Sequence, residues 1–212
     1  MRKWVIGLLV VCMLGICSVS FAGDAIVFSE DFKDSDAAMK KLNLDPTAWQ
    51  VSNGALHSLN NDEGSVACSF GDINWKDYEV EFKVKRLVIN PKDQHFSIFV
   101  RNDNVLGKMT SGLRLYCRGS AVVFLENVDK KTTRHDFLGN LPKPMEVGEK
   151  SSWTTFKVVV KGSTATVYVD GTLIGNVDNV VPSSGMLAIF AYNVKIDVSD
   201  LKVTVFSTAD KK

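Results

Sequence analysis

The sequence predicts an all-β protein, a sandwich of two antiparallel sheets in the jelly-roll arrangement with one short helix. Apolar and charged residues alternate along several short stretches, most regularly at Tyr78–Val88, as expected of strands with one dry and one wet face. Two-residue turn signals such as Asn53-Gly54 and Asp170-Gly171 separate these stretches. Only Ser35–Leu44 has the composition of a helix. Short strands with frequent turns and no periodic helices between them are typical of a sandwich or jelly roll.

The first half of the chain is predicted to contain the helix and the opening strands. Asp34 or Ser35 can cap the helix, and Pro46 closes that region. Asn53-Gly54 then joins two strands as a hairpin. The predicted strands are Ala25–Phe32, Trp49–Val51, Ala55–Ser58, Val66–Phe70, Tyr78–Val88 and His95–Arg101.

The second half is predicted to contain hairpins that complete both sheets. Gly119-Ser120 joins the first hairpin, and Trp153–Gly175 contains three short strands joined by two tight turns. The polar segment Asp129–Ser152 lacks any alternation, and we interpret it as a functional loop or a covering flap. The other predicted strands are Gly112–Arg118, Ala121–Asn127, Gly185–Tyr192 and Ile196–Phe206.

The N-terminus has the pattern of a signal peptide. Arg2 and Lys3 precede an apolar run, Trp4–Ile16, and Ser20-Phe21-Ala22 offers small residues where a signal peptidase reads them. We expect cleavage after Ala22, location in the periplasm or outside the cell, and no membrane span afterwards. The remaining chain is predicted to form a single domain over residues 23–206 with a polar tail at 207–212.

Charge and cysteine content narrow the function classes. Without Arg2 and Lys3, 23 basic residues face 24 acidic ones, a net charge of −1, so nothing favours a nucleic acid as partner. Cys68 and Cys117 remain after cleavage. In an oxidising compartment they could form a disulfide, and the alternative is a pair of buried thiols.

The order of several motifs resembles the concanavalin A-like lectin/glucanase superfamily. The resemblance is nearest to its secreted bacterial branch related to laminin-G-like modules and 3-keto-disaccharide hydrolases. It covers nearly the whole predicted domain, and it implies a two-sheet jelly roll with one concave face. Members include lectins, glycosidases, lyases and interaction modules, so the resemblance is weakly specific for activity. The motifs that carry it are W-x-V-x-N-G-x-L-H at Trp49–His57, W-K-D-Y-E-V-E-F at Trp75–Phe82, S-G-L-R-L-Y at Ser111–Tyr116, W-T-T-F-K-V-V-V-K-G…V-Y-V-D-G at Trp153–Gly171 and S-G-M-L-A-I-F-A…V-S-D-L-K-V at Ser184–Val203.

The chain departs from this superfamily at its catalytic and metal motifs. The E-x-D-x-x-E strand of many glucanases is absent, and Glu79 and Glu81 are followed by Lys83 where a further carboxylate would be needed. The Asp/Asn cluster that holds metals in legume-type lectins has no counterpart in the sequence. We therefore expect no metal, no cofactor and no catalytic carboxylate pair.

The predicted ligand site lies on the concave sheet. His95, Ser97, Phe99 and Arg101 are expected on one face of their strand, next to the polar face of the Gly112–Arg118 strand. Aromatic rings stack on the C–H faces of sugars, and arginine and glutamate form paired hydrogen bonds with sugar hydroxyls. The alternative is a ladder of structural ion pairs among Arg101, Arg114 and Glu126. The candidate ligand-binding residues are Phe99, Arg101, Arg114, Tyr116, Glu126 and Tyr192.

Other conspicuous residues receive plainer interpretations. His57 is interpreted as a surface histidine, and His135-Asp136 as a loop pair that could serve as an acid–base couple. Adjacent residues on a strand would, however, point apart. The tryptophans that open strands are interpreted as core or edge plugs rather than sugar platforms, namely Trp49, Trp75 and Trp153.

Three functions follow from these observations. The first is an exported lectin-like module that binds a glycan or a cell-surface polysaccharide on its concave sheet. The second is a carbohydrate-active hydrolase or lyase of the 3-keto-disaccharide hydrolase type, with Glu126, His135 or Asp136 as acid or base. The third is a structural envelope domain without a small ligand. The missing carboxylate pair favours the first and third over the second.

Overall fold

The computed structural model describes residues 24–59, 64–89, 94–103 and 111–207. The predicted signal peptide and most of the predicted polar tail lie outside these ranges. Over the described residues the chain forms one helix, α1 (Ser35–Lys41), and fourteen strands: β1 (Ala25–Glu30), β2 (Trp49–Ser52), β3 (Ala55–Ser58), β4 (Ser65–Phe70), β5 (Tyr78–Ile89), β6 (His95–Asn102), β7 (Gly112–Arg118), β8 (Ala121–Val128), β9 (Lys131–Asn140), β10 (Thr154–Lys161), β11 (Thr164–Val169), β12 (Thr172–Val177), β13 (Met186–Tyr192) and β14 (Val194–Val205).

The strands form two antiparallel sheets, which confirms the predicted jelly-roll sandwich with one short helix. The sheet that we call the back sheet has the order β12-β11-β10-β5-β14-β3-β2, with β1 also paired to β14. The sheet that we call the front sheet has the order β4-β13-β6-β7-β8-β9. Within the described ranges, no helix is both long and apolar enough to cross a membrane.

The core lies between the sheets and follows the alternation in the sequence. On β5, Tyr78, Val80, Phe82 and Val84 are all buried, as their period of two predicts. Phe156 of β10 stacks on Phe82 at 5.8 Å between ring centroids, and it meets the edge of Phe96 from the front sheet at 5.1 Å. Aromatic contacts of this kind add to the stabilisation that burial of the rings provides.

The helix cap and the hairpin turn form where the sequence predicts them. Asp34 caps α1 by accepting a hydrogen bond from the backbone N–H of Ala37 at 3.0 Å. The turn at Asp170-Gly171 has φ of +47° and +76°, as a type I′ hairpin requires.

The segment predicted to be irregular, Asp129–Ser152, contains a strand. Lys131–Asn140 forms β9, which pairs with β8 and extends the front sheet instead of covering it. None of its residues is fully buried, and its half-buried face carries Arg134 and Asp136, so no alternation of apolar residues marks it in the sequence. The chain then leaves the front sheet, buries Leu141 and Met145 in the core and meets β5 through a bridge between Arg86 and Val147. Both predicted roles for this segment, as a loop or as a flap, are therefore wrong for β9.

Candidate functional site

The outer face of the front sheet, which we call the front face, combines aromatic and basic side chains. The register places Phe99 beside Arg114, Ser97 beside Tyr116, and His95 beside Tyr192. Paired residues in an antiparallel sheet share a face, so these side chains form continuous rows. The strand residues of the front face include Ser65, Ala67 and Ser69 of β4, Ala188, Phe190 and Tyr192 of β13, His95, Ser97 and Phe99 of β6, Arg114, Tyr116 and Arg118 of β7, Ala121, Val123, Leu125 and Asn127 of β8, and Thr132, His135, Phe137 and Asn140 of β9.

Arg114 lies at the centre of the front face and is held in a fixed orientation. Its Nε donates a hydrogen bond to Ser97 Oγ at 3.0 Å, and its Nη2 contacts Nε2 of His95. Since arginine has only donors, His95 accepts at Nε2, where its ring is unprotonated. The guanidinium carbon lies close to three ring centroids, at 5.2 Å from Phe99, 5.5 Å from Tyr116 and 5.1 Å from Phe190. These distances are typical of cation–π contacts.

His95 connects the rings into one cluster. Its ring centroid lies 5.4 Å from Tyr116, 5.9 Å from Phe190 and 5.2 Å from Tyr192. Next to this cluster is a shallow depression of about 160 Å³, lined by His95, Arg114, Tyr116, Arg118 and Leu125. The cluster thus supplies both ring faces and hydrogen-bond donors around one concavity.

The edge strand β9 extends the aromatic surface beyond Tyr116. The Tyr116 hydroxyl lies 3.2 Å from Nε2 of His135. Phe137 pairs with Val123, so it lies on the same face, and 63% of its surface is exposed. An exposed aromatic ring on a sheet face provides a flat apolar platform.

The structure places Phe99, Arg114, Tyr116 and Tyr192 on the front face, and their role in binding a ligand stays a prediction. Phe99 itself is 5% exposed, with the Arg114 guanidinium over its ring. Phe190 and Phe137 were missed as candidates. Phe190 is two residues before Tyr192 on one strand, and the same spacing relates His135 to Phe137. The period of two could therefore have identified Phe190. Phe137 lay in the segment interpreted as a loop, where no strand period is expected.

Arg101 does not lie on the front face, so the prediction that it binds the ligand is wrong. A bulge between β6 and β13 and a positive φ of +50° turn its side chain inward, and only 1% of the residue is exposed. The guanidinium bonds to the carbonyls of Lys76, Gly162 and Pro182 at 2.8–3.0 Å and to Asp77 at 3.2 Å. The Arg101 side chain therefore holds together the three connections that contain Lys76, Gly162 and Pro182.

Glu126 also faces away from Arg114, which contradicts its predicted place on the ligand face. It pairs with Leu113, whose side chain belongs to the core, and it is 4% exposed. One carboxylate oxygen accepts from the backbone N–H of Val181 at 2.7 Å, and the other from Thr133 Oγ1 at 3.2 Å. The alternative ladder of Arg101, Arg114 and Glu126 is wrong for the same reason, because these residues occupy different faces.

The acid–base couple considered for His135 and Asp136 is not assembled. His135 contacts Tyr116 on the front face, whereas Asp136 pairs with Arg134 Nε at 2.5 Å on the other face of β9. Successive side chains on a strand point to opposite faces. Together with the position of Glu126, this separates all three residues predicted for a hydrolase.

Cys68 and Cys117 are unbonded, so the disulfide considered for them is absent from the structure. Strands β13 and β6 lie between β4 and β7. At the usual strand spacing the two cysteines are about 14 Å apart, whereas a disulfide requires Cα atoms within about 7 Å. Burial raises the pKa of each thiol to about 12.

His57 is half-buried and paired, which corrects its interpretation as a surface residue. Its Nδ1 lies 2.5 Å from Asp197 Oδ1, and its Nε2 lies 3.0 Å from the carbonyl of Ser52. The hydrogen bond to Asp197 raises the pKa of His57. These contacts join β3 to β14 and lie in the back sheet, away from the front face.

The tryptophans behave as the predicted plugs. Trp49 is buried and donates from Nε1 to the carbonyl of Ala67 at 3.1 Å. Trp75 packs against the core beside Tyr78. Trp153 is half-buried under the Lys85 ammonium.

Two larger depressions, each about 480 Å³, lie on the outer face of the back sheet. Charged groups at these depressions form ion pairs: Lys157 with Glu79 at 2.8 Å, and Lys83 with Asp200 at 2.8 Å. The depression on the front face is smaller, but two aromatic side chains and two arginines line it. We therefore place the candidate site on the front face.

The fold is shared with solved structures of low sequence identity. A Bacillus subtilis protein of unknown function with a galectin-like fold matches with a TM-score of 0.63 and 12% identity, over 87% of this chain and 99% of that one. The carbohydrate-binding module CBM66 from Bacillus subtilis matches with a TM-score of 0.57 and 13% identity, over 72% and 88%. A glycosyl hydrolase-like protein from Parabacteroides distasonis matches with a TM-score of 0.57 and 11% identity, over 78% and 93%.

No protein-family model matches the sequence, and no curated protein sequence matches it either. These likenesses, at 13% identity or less, show the fold alone, a galectin-like jelly-roll sandwich.

Proposed function

We propose that the protein is an exported carbohydrate-binding module whose ligand lies on the front face. The observation that carries the proposal is the position of Arg114, fixed by Ser97 and His95 among three aromatic rings and beside a depression. Aromatic rings can stack on the apolar face of a sugar while neighbouring arginine and histidine groups bond to its hydroxyls. One of the structural neighbours is itself described as a carbohydrate-binding module.

Binding is favoured over hydrolysis because the acid and base candidates are dispersed. A glycosidase of the usual kind needs two carboxyl groups on either side of one glycosidic bond. Glu126 is bonded in the interior, and Asp136 is paired on the far face of β9. The strand residues of the front face include neither Asp nor Glu, so they offer binding groups without a carboxylate pair.

The test is a glycan array on the purified protein, the Arg114→Ala variant and a matched control, Arg134→Ala. Arg134 is an arginine on the other face of β9. We expect the wild type and the control to bind a common set of glycans, and Arg114→Ala to lose about tenfold or more in affinity, since hydrogen bonds to charged groups are strong. Circular dichroism would verify that the variant is folded.

A second variant separates loss of the guanidinium from loss of folding. Arg114→Lys keeps the charge but removes the planar group that can bond at two points and stack on rings. Weakened binding by this folded variant supports the proposal. Unchanged binding by both Arg114 variants, or no binding by the wild type to any glycan, would overturn it.

Export is also our proposal and rests on the N-terminal pattern of Arg2, Lys3 and the apolar run that ends before Ala22. Mass spectrometry of the protein recovered from its native cells should find Gly23 as the first residue. A protein that retains Met1 would contradict cleavage.

We further propose membership of the concanavalin A-like superfamily, near its laminin-G-like and 3-keto-disaccharide hydrolase branch. The order of motifs from Trp49–His57 to Ser184–Val203 supports this. A sequence profile built from homologues of this chain should match that branch, and a match to a different branch would contradict it.

A further inference from the structure

The front face carries charge of only one sign along its strands. Its permanently charged side chains are Arg114 and Arg118, and the described strand residues of this face include no carboxylate. The chain as a whole is close to neutral, with 25 basic and 24 acidic residues. The basic character of this face is therefore local and does not follow from composition.

The nearest carboxylates on the adjacent strands are turned away from the face. Glu126 is next in sequence to Leu125, which lines the depression, but its carboxylate is bonded to Val181 and Thr133 in the interior. Asp136 follows His135, and it is paired with Arg134 on the opposite face. The alternation of the strands thus leaves the arginines outward and these acids inward.

The two arginines flank the same depression. Arg114 is half-buried and oriented by its contacts, whereas Arg118 is exposed at the rim, four residues further along β7. A guanidinium matches the geometry of a carboxylate or sulfate through two parallel hydrogen bonds. Hydrogen bonds from a guanidinium to an ionised group are stronger than those to a neutral hydroxyl, so two arginines at one depression favour an acidic ligand.

We propose that the ligand is an anionic saccharide, one that carries carboxylate or sulfate groups, with these acidic groups directed at Arg114 and Arg118. The proposal rests on the carbohydrate-binding function proposed above and specifies its substrate class. The rings of Tyr116 and Phe190 lie next to Arg114, so one sugar residue can stack while its acidic group meets a guanidinium. The exposed ring of Phe137 continues the surface for a neighbouring sugar residue.

The experiment compares charged saccharides with neutral counterparts of the same backbone. Calorimetric titrations would use oligogalacturonate against its methyl ester, and dextran sulfate against dextran. We expect at least one charged probe to bind about tenfold or more tightly than its neutral counterpart, the difference that a charge-assisted hydrogen bond provides. The two pairs distinguish a carboxylate ligand from a sulfate ligand.

Variants distinguish a built site from general attraction between charges. Arg118→Gln should reduce the preference for the charged probe about tenfold, while the control Arg134→Gln should leave it unchanged. Binding should also weaken as salt rises, because screening reduces the attraction between exposed charges.

The outcomes separate the two proposals. Equal affinity for charged and neutral saccharides would overturn the anionic ligand but keep carbohydrate binding. Charged binding that Arg118→Gln and Arg134→Gln weaken equally would also overturn it, since the charge of the whole surface would then be responsible. Failure to bind any saccharide, in this titration and on the array, would overturn the proposed function itself.

Discussion

Arg101 shows how a residue typical of ligand sites can serve the fold instead. Its guanidinium bonds to three backbone carbonyls and to Asp77, and its own backbone N–H donates to the Tyr78 hydroxyl at 2.7 Å. Gly185 permits this arrangement, because a Cβ there would lie 2.3 Å from the carbonyl carbon of Arg101. The sequence pattern around Arg101 carries no sign of this long-range packing.

We predict that Arg101→Met lowers the free energy of unfolding by about 3–5 kcal/mol, the cost of removing one partner from a buried charged network. Urea denaturation followed by tryptophan fluorescence would measure it. Lys33→Met, at an exposed surface pair with Asp31, is the control and should change little. An Arg101→Met variant as stable as the wild type would contradict a stabilising role for the Arg101 hydrogen bonds.

The pair of His57 and Asp197 makes stability depend on pH. Because the pKa of His57 is raised in the folded state, its stabilisation is complete below the unfolded value of about 6.5 and is lost as pH rises through the folded pKa. Lys85 lies opposite Asp197 on β5, and its ammonium group lies over the Trp153 ring.

We expect wild-type protein to lose stability relative to His57→Gln as the pH rises from about 5 to about 9. Urea midpoints at several pH values would measure the difference between the two proteins. A difference that stays constant over this range would show that the protonation of His57 is not linked to folding.

At the scale of elements, β9 and β12 close one side of the sandwich through a tight backbone approach. A Cβ added at Gly139 would lie 3.1 Å from the carbonyl oxygen of Ile174, and one at Gly175 would lie 3.1 Å from that of Leu138. Backbone atoms cannot move away as a flexible side chain can. The two glycines therefore allow the edge strands of the two sheets to meet.

We predict that Gly139→Ala destabilises the fold by about 1–3 kcal/mol, the usual cost of overpacking. Thermal or urea unfolding would measure it. Lys131→Ala, at an exposed position of the same strand, serves as control. If Gly139→Ala is as stable as the control variant, the contact between β9 and β12 can accommodate a methyl group.

For the whole molecule, the sandwich separates its two described cysteines and protects both. Each thiol is buried, and its raised pKa keeps it protonated at neutral pH, when only the thiolate reacts readily. We predict that an alkylating reagent leaves Cys68 and Cys117 unmodified in the native protein and labels both after unfolding in guanidinium. Peptide mass spectrometry would identify the sites. A linked peptide containing both cysteines would contradict the separation.

The pattern of residues along the chain was enough to predict the class of fold and most strands. The period of two and the Asn-Gly and Asp-Gly turns are local signals, and burial at Tyr78, Val80 and Phe82 follows them directly. The same period placed Phe99, Arg114, Tyr116 and Tyr192 on outward faces. It did not reveal β9, because no residue of this edge strand is fully buried and its half-buried face carries the charged residues Arg134 and Asp136.

Packing between distant segments determined the positions and partners of five side chains: Arg101, Glu126, His57, Cys68 and Cys117. A bulge reversed the direction of Arg101, and the register between β7 and β8 put Glu126 opposite Leu113 in the interior. Strand order then separated Cys68 from Cys117. Local alternation determines which residues share a strand face. Register, bulges and strand order arise from contacts between segments far apart in the chain, and they determine which faces meet to form a site.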